Sequence, residues 1–232
     1  MFSLCIPTMD RYDSFLKKNL TEYLKNEYID EIIITDETGY DVDKIQRDFK
    51  NISKLRLYKN ERILGPFLNK IKACKLSKNP WIALIDSDNF ANKNYFKTAK
   101  IYIEINNLKY NEILAPHKAK PRFDYSYLSG KIIKKGNFID NSCLLNTGNY
   151  VIHKSLIEKL NLSKEQENIK KSSACDVIYL NTLLFEQLDL YLHIVPGLEY
   201  EHSNHKESIY LKTRDNYKEF NQYVKNRYKN LK

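Results

Sequence analysis

The triplet Asp86-Ser87-Asp88 carries the clearest chemistry in this sequence. It directly follows the apolar run from Trp81 to Ile85, which is apolar on both faces and is therefore typical of a buried strand. Two carboxylates one residue apart offer hard oxygen ligands to Mg²⁺ or Mn²⁺, an ion that also bridges phosphates. A D-x-D triplet alone is common in solvated loops, so its place at the end of a buried strand is what indicates a site.

Polar residues also follow two other predicted strands. Thr8 ends the apolar run that begins at Ser3, and Asp36 comes shortly after the β-branched run Ile32–Ile34. Ligands of open parallel sheets bind outside the carboxyl ends of the strands, so we expect Thr8, Asp36 and the acidic triplet to lie at one site. An acid such as Asp36 also serves as a helix cap or turn residue, and that alternative stays open here.

Strands and helices alternate through the first hundred residues. Short apolar or β-branched runs indicate the strands, and apolar residues spaced three or four apart indicate the helices. The predicted strands are 3–8, 32–34, 55–58 and 81–85, and the predicted helices are 10–26, 41–49, 65–78 and 92–108. This order predicts βαβ units and an α/β fold with a mostly parallel central sheet flanked by helices.

The second half of the chain has a less regular pattern. We predict strands at 113–116 and 190–195, a strand and turn across 144–153, a helix at 173–187 and a basic helix at 215–228. No linker-like composition separates the two halves, so residues 1–232 are predicted to form a single domain.

These motifs together resemble the GT-A glycosyltransferases of the family-two type, which transfer sugars from nucleotide donors. Ile6-Pro7-Thr8 matches the family's opening strand, Asp36 its acid after the second strand, and Leu84-Ile85-Asp86-Ser87-Asp88 its D-x-D signature. The segment Asn60–Asn69 is similar to the family's Asn-x-Gly…Asn segment, with a looser spacing. The resemblance extends over residues 3–100 and covers the rest of the chain only thinly.

The resemblance implies a Rossmann-like GT-A fold with two functional halves. Residues 1–100 would bind a nucleotide sugar, with a UDP-sugar favoured, and residues 101–232 would bind a glycan, glycolipid or glycoprotein acceptor beside a smaller mixed sheet. Asp36 would accept a hydrogen bond from a uracil-like base, and Gly148 would touch the donor sugar unless it serves an ordinary turn. The donor-binding residues implied are Pro7, Thr8, Asp36, Asn69, Asp86, Ser87, Asp88 and Gly148.

A general base is implied at the start of a helix on the acceptor side. The stretch Ala174–Tyr179 opens the predicted helix and supplies Asp176, with Cys175 where the family usually has Glu. A carboxylate there would take the proton from the attacking hydroxyl, and direct displacement would invert the anomeric carbon. An acid also stabilises a helix N-terminus without any catalytic role, and a retaining reaction on the same fold is a second alternative.

The resemblance also implies Mn²⁺ or Mg²⁺ as a cofactor. Asp88 would bind the ion directly, and family members place a metal-binding His about where His202 lies. A neutral imidazole suits such a coordination shell, and His205 is the competing candidate. The ion would stabilise the departing nucleoside diphosphate.

Composition narrows the remaining classes of protein. A hydrophobic fraction of 42% argues against wholesale disorder, and no apolar run approaches the roughly 20 residues of a membrane span. The four cysteines lie far apart without C-x-x-C spacing, which argues against a disulfide framework or a zinc site. Since the N-terminus also lacks the pattern of a secretory signal, we expect a cytoplasmic protein.

Positive charge accumulates near the C-terminus. Residues 203–232 contain eight Lys and Arg against three Asp and Glu, within a formal net charge of +9. Such a segment attracts nucleic acid or an anionic membrane surface, so a nucleic-acid-binding module without catalysis is the alternative from another class. For a transferase we expect no nucleic-acid partner, although peripheral membrane contact through this segment is compatible. A sugar-phosphate nucleotidyltransferase would need a Gly-rich loop after the first strand, and residues 7–11 contain no glycine.

Overall fold

The sheet contains both a parallel and a mixed half. The computed structural model describes residues 1–205 and 214–229, which form a nine-stranded sheet with helices on both faces. The strands are β1 (Phe2–Thr8), β2 (Ile29–Asp36), β3 (Leu55–Lys59), β4 (Trp81–Leu84), β5 (Glu112–Lys120), β6 (Phe123–Asp124), β7 (Ile132–Ile133), β8 (Val151–His153) and β9 (Tyr191–Glu201).

The strand order is β3-β2-β1-β4-β8-β5-β9-β7, and β6 pairs with β5. Strands β1 to β4 run parallel to one another, whereas β8 is antiparallel to both β4 and β5. Strands β5 and β9 are again parallel, and β7 is antiparallel to β9. The predicted α/β fold with a mostly parallel centre is confirmed, and its mixed part continues the same sheet through β8.

Helices flank the sheet along the described chain. They are α1 (Lys17–Leu24), which follows a π-helical turn at Tyr12–Leu16, α2 (Tyr40–Asp48), α3 (Pro66–Lys75), α4 (Lys93–Ile105), α5 (Lys135–Phe138), α6 (Lys154–Lys159), α7 (Gln166–Lys171), α8 (Asp176–Gln187) and α9 (Arg214–Lys229). Within residues 1–205 and 214–229, none of these helices combines the length and the apolar character needed to cross a bilayer.

The core lies in two layers, one on each face of the sheet. Every residue of β1 is buried, as a central strand covered on both faces requires. Because side chains alternate along a strand, Cys5 packs in the layer that contains α3 and α8, whereas Leu4 and Ile6 pack in the layer that contains α1, α2 and α4. Each large aliphatic side chain buried in this way stabilises the fold by about 1.5–3 kcal/mol.

Short elements account for most differences between the predicted and the observed structure. The elements β7, α5, α6 and α7 have two to six residues, too few for a periodic pattern to show. Strand β9, predicted at 190–195, runs as far as Glu201. The strand itself therefore carries the chain to His202.

The start of α3 depends on the backbone freedom of Gly65. Its φ of 82° and ψ of 161° lie in a region that is essentially restricted to glycine. Pro66 follows as the first helical residue, where its fixed φ suits the helix and its missing N–H costs no hydrogen bond. Gly65 therefore sets the point from which α3 presents Asn69 and Lys70.

We expect Gly65→Ala to lower the free energy of unfolding by about 1–3 kcal/mol, because alanine is strained at this φ. No atom lies within 4 Å of the added Cβ, so a steric clash does not contribute. Urea unfolding followed by circular dichroism measures the change. Gly136→Ala is the matched control, since Gly136 has the same open space without a positive φ. Equal losses in both variants would contradict the backbone argument.

Candidate active site

A cleft of about 810 Å³ opens where β1 and β4 end. This is the edge at which parallel sheets bind ligands, and segments of the second half close its other side. The predicted site residues that line the cleft are Pro7, Thr8, Asn69, Asp86, Ser87, Asp88, Asp176, His202 and His205. The structure does not bring Asp36 or Gly148 into this lining.

The corner after β1 is held by the buried carboxylate of Asp41. The main-chain N–H groups of Arg11 and Tyr12 donate to its Oδ1 at 2.9 and 2.8 Å, and the Thr8 hydroxyl donates to its Oδ2. Burial raises the pKa of Asp41, and these three hydrogen bonds oppose the rise. The cleft wall at Thr8 is therefore fastened to α2.

Asp36 is fully buried and caps α2 instead of facing the cleft. Its Oδ1 accepts a hydrogen bond from the N–H of Thr38 at 3.1 Å, and its Oδ2 accepts one from the N–H of Val42 at 3.0 Å. These bonds satisfy main-chain donors near the helix N-terminus, as side-chain oxygens commonly do. The structure thus favours the capping alternative that the sequence left open.

The next residue, Glu37, is the acid that lines the cleft. Its Oε2 accepts hydrogen bonds from the N–H of Leu64 at 2.7 Å and from Nδ2 of Asn60 at 3.1 Å. Its Oε1 is buried and has no hydrogen-bond partner among the described residues. Sequence analysis missed Glu37. Its position next to Asp36 was the available signal. Successive side chains at a strand end point in opposite directions, so either Asp36 or Glu37 could face the cleft.

Asn69 fastens α3 to the strands beneath the cleft. Its Nδ2 donates to the carbonyl of Thr35 at 3.0 Å, and its Oδ1 accepts from Nδ2 of Asn60 at 3.0 Å. Asn60 in turn accepts a hydrogen bond from Nζ of Lys72 at 2.7 Å. The amide of Asn69 is therefore engaged with the protein and positions the cleft wall.

Lys70 joins two acidic parts of the cleft. Its Nζ lies 2.5 Å from Oδ1 of Asp86 and 2.7 Å from Oδ2 of Asp176, and its side chain is only 9% exposed. Burial lowers the pKa of Lys70, but the charges of Asp176 and Asp86 outweigh burial and raise the pKa above its usual range. The amine therefore stays protonated. Sequence analysis missed this residue, whose one signal was its position next to Asn69.

Asp176 is the first residue of α8, and its side chain is largely buried. Burial raises the pKa of its carboxyl group, Lys70 opposes that rise, and Asp86 adds to it. A carboxylate with a raised pKa accepts a proton more readily than a solvated one. The environment of Asp176 therefore suits proton abstraction.

The segment Gly148-Asn149 orients Asp86 and supports α8. Oδ1 of Asn149 accepts a hydrogen bond from the N–H of Asp86 at 2.6 Å, and Tyr95 donates to the Asn149 carbonyl at 2.7 Å. A Cβ on Gly148 would lie 3.3 Å from the methyl groups of Val177, so the glycine permits close packing against α8. Gly148 thus acts behind the cleft wall.

Asp88 and two histidines form the candidate metal-binding corner. Nε2 of His205 lies 2.8 Å from Oδ2 of Asp88, and His202 lines the same cleft. Nδ1 of each histidine is buried and has no hydrogen-bond partner in the part of the chain that the structure describes. Burial lowers the pKa of His202, although Asp88 opposes the shift, so its imidazole is suited to bind a metal as the neutral form.

The described side chains at this corner offer a cation few ligands, and the metal site stays a prediction. Residues 1–205 and 214–229 contain no group of three or more His, Cys, Asp or Glu side chains placed to hold a metal ion. Mg²⁺ usually takes only one or two carboxylates together with substrate phosphates, so a smaller protein contribution is consistent with such an ion. The choice between His202 and His205 stays a prediction.

The basic helix α9 packs on the core. Phe220, Val224 and Tyr228 are buried in the same core layer as α8. None of the described α9 side chains lines the cleft. Stacking of a nucleic-acid base on Tyr228 would require this helix to undock, whereas Tyr223 is 40% exposed, so the nucleic-acid alternative stays a prediction.

We expect Lys70→Met to lower the free energy of unfolding at about pH 7 by about 3 kcal/mol, because the largely buried carboxylate of Asp176 then faces Asp86 without its cation. Burial already raises the pKa of Asp176 in the folded protein and removal of Lys70 would raise it further, so the loss of stability should shrink as the pH falls toward about 5 and Asp176 takes up a proton. Urea unfolding at the two pH values measures this. Lys75→Met, on an exposed residue at the end of α3, is the control and should change stability by less than about 0.5 kcal/mol. A loss independent of pH would contradict the charge argument.

Sequence and fold both match known proteins. Residues 3–110 match the model of the family described as glycosyl transferase family 2. Over 108 residues the chain is 31% identical to the "Uncharacterized glycosyltransferase MG060" of Mycoplasma genitalium, covering 43% of this chain and 35% of that protein.

Solved structures of S. aureus TarS share the fold. Residues 1–349 of TarS in complex with UDP-GlcNAc give a TM-score of 0.69 at 15% identity, covering 97% of this chain and 66% of that chain. The complex with UDP gives a TM-score of 0.66 at 15% identity, covering 97% of this chain and 64% of that chain.

The chain spans 35% of the length of the curated relative and 64–66% of the TarS chains in the two complexes. At 15% identity the likeness to TarS concerns the fold, whereas the sequence match to the family covers residues 3–110. Residues 3–110 are thus similar in sequence to glycosyl transferase family 2, and the chain has a fold similar to that of TarS.

Proposed function

We propose that the chain transfers a sugar from a nucleoside diphosphate donor, with a UDP-sugar favoured, to a hydroxyl group of a glycan, glycolipid or glycoprotein. The carrying observation is that the D-x-D carboxylates and Asp176 meet in one cleft, where Lys70 contacts both Asp86 and Asp176. The choice of UDP is supported by TarS, a protein of similar fold that has been solved with UDP and with UDP-GlcNAc.

The donor half offers the nucleotide a cleft wall and a hydrogen-bond acceptor. The main chain at Pro7 and Thr8 lines the cleft near Glu37, whose free Oε1 can accept a hydrogen bond from an N–H of the base. A buried acceptor without a partner is costly, so a base that fills this role gains specificity. Asp36 does not line the cleft and supports its wall by accepting a hydrogen bond from the first turn of α2.

A divalent cation, Mn²⁺ or Mg²⁺, is proposed at Asp88. Asp88 would hold it together with His202 or His205, and the ion would supply positive charge that stabilises the departing diphosphate. Arg122 also lines the cleft and adds a cationic group on this side. Its Nη1 donates to Oδ1 of Asn204 at 3.2 Å, which aims the guanidinium along the residue 202–205 segment.

Asp176 acts as the general base in this proposal. Its carboxylate accepts the proton of the acceptor hydroxyl while that oxygen bonds to the anomeric carbon and the bond to the diphosphate oxygen breaks. Attack from the face opposite the leaving group inverts the anomeric configuration. Lys70 keeps the carboxylate in place through the 2.7 Å contact.

A cytoplasmic location belongs to the same proposal. None of the four cysteines, all of which lie in the described part of the chain, forms a disulfide, and Cys5, Cys74 and Cys175 are buried, as expected for thiols in a reducing compartment. Contact of the basic C-terminal segment with an anionic membrane surface would bring the cleft near a lipid-linked acceptor.

UDP together with Mn²⁺ is expected to raise the thermal midpoint of unfolding more than GDP, CDP or ADP, since a ligand at about 100 times its Kd stabilises by about 2.7 kcal/mol. Differential scanning fluorimetry with and without Mn²⁺ tests this. Asp88→Asn should abolish the metal-dependent part, whereas Asp43→Asn, on an exposed acid of α2, should leave it intact. The absence of a shift with all four nucleotides would contradict the proposal.

Asp176→Asn is expected to lower kcat by about 10²–10⁴-fold, because the amide cannot take the proton, while the affinity for UDP stays within about twofold. Transfer from a labelled UDP-sugar and calorimetric titration with UDP measure the two quantities. Asp43→Asn again serves as the control, since both residues are acids in the first turn of a helix. Proton NMR of the product reports the anomer, and a retained configuration would refute single displacement.

A further inference from the structure

A cluster of charged side chains outside the cleft joins α9 to α8 and to Glu165, the residue before α7. Nη1 and Nη2 of Arg227 donate to the two carboxylate oxygens of Glu165 at 2.9 and 2.7 Å, and its Nε donates to Oε2 of Glu186 at 2.7 Å. Glu165 is 6% exposed, and hydrogen bonds from Arg227 hold its pKa at about 2. A bidentate pair of this kind fixes direction as well as distance.

Tyr179 connects this cluster to the helices of the cleft. Its hydroxyl donates to Oε2 of Glu165, and its side chain is fully buried. Its ring lies 5.4 Å from the ring of Phe67 on α3 and 5.2 Å from the ring of Phe220 on α9. Tyr179 is therefore linked to α9 in two ways, through Glu165, which Arg227 holds, and through its ring contact with Phe220.

The spacing along the two helices places this ring contact beside the catalytic contact. Tyr179 is three residues after Asp176 on α8, and Lys70 is three residues after Phe67 on α3. Residues three apart lie on the same face of a helix. The Tyr179–Phe67 contact and the Asp176–Lys70 contact thus both join α3 to α8, and they lie about one helical turn apart.

We propose that Arg227 and Glu165 are positioning residues for the general base, acting through Tyr179. The bidentate pair fixes the Tyr179 hydroxyl, the Tyr179 ring fixes the separation of α8 from α3, and that separation sets the reach of Asp176 into the cleft. The inference rests on the proposed role of Asp176. It adds that α9, whose described side chains lie outside the cleft lining, influences the rate of the reaction by positioning the base.

A purely structural role makes different predictions from this one. If the cluster only added stability, its loss would lower the thermal midpoint, and the protein that stays folded would keep its kcat. If it positions the base, its loss should lower kcat in fully folded protein and leave donor binding unchanged. A displacement of about 1 Å at a reacting group can cost about 100-fold in rate.

The test compares Arg227→Gln, Arg227→Lys and Tyr179→Phe with Arg47→Gln, a control on an arginine that pairs with Asp48 on the exposed face of α2. We expect Arg227→Gln to lower kcat by about 10–100-fold with the donor KM within about twofold. Arg227→Lys keeps the charge and should recover part of the loss. Tyr179→Phe keeps the ring on Phe67 and should give a smaller fall in kcat alone.

Amide hydrogen exchange of residues 176–180, followed by mass spectrometry, provides a readout that does not need sugar transfer. Arg227→Gln should speed exchange there by about tenfold, and Arg47→Gln should not. Unchanged exchange, or faster exchange with an unchanged kcat, would overturn the positioning role, as would a rise in the donor KM in proportion to the fall in kcat. If the wild-type chain transfers no sugar, the proposed function fails, while the exchange result still decides whether Arg227 holds the start of α8.

Discussion

The buried ammonium group of Lys70 balances the charges of Asp86 and Asp176 in the cleft. Lys70 lies 2.5 Å from Asp86 and 2.7 Å from Asp176, and each of the three residues comes from a different part of the chain. Two neighbouring carboxylates in a poorly solvated site cannot both stay ionised without a compensating cation. The contact therefore links the end of β4, in the parallel half of the sheet, to the start of α8 in the second half.

The surrounding structure keeps these three groups in register. Asn149 holds the main chain of Asp86, the conformation of Gly65 sets the start of the helix that carries Lys70, and Gly148 lets α8 approach closely. Each of these residues acts on the backbone or on packing and need not touch a substrate. The cleft is thus shaped by supports behind its wall as much as by the side chains that line it.

Sequence reasoning predicted the parts of this arrangement that depend on local pattern. The alternation of strands and helices predicts the parallel half, and the end of β4 locates Asp86 and Asp88. Lys70 was not predicted as a site residue, because a lysine in a helix is ordinarily solvated. Its burial depends on the packing of Asp176, which lies far along the chain. Sequence reasoning placed Asp36 in the cleft, whereas the structure places Glu37 there. Neighbouring side chains at a strand end face opposite sides, so an error of one residue reverses which of them faces the cleft.

The two acids of the D-x-D triplet differ in how firmly their partners hold them. Asp86 faces Lys70, a cation that is also needed by Asp176, so displacement of Lys70 would expose two charges at once. Asp88 faces His205, and among the described contacts the displacement of His205 would leave no second carboxylate without its partner. The divalent cation that we propose would therefore meet less resistance at Asp88 than at Asp86. The ion pairs of the described residues thus support the proposal that Asp88 would exchange its partner for the cation while Asp86 keeps Lys70.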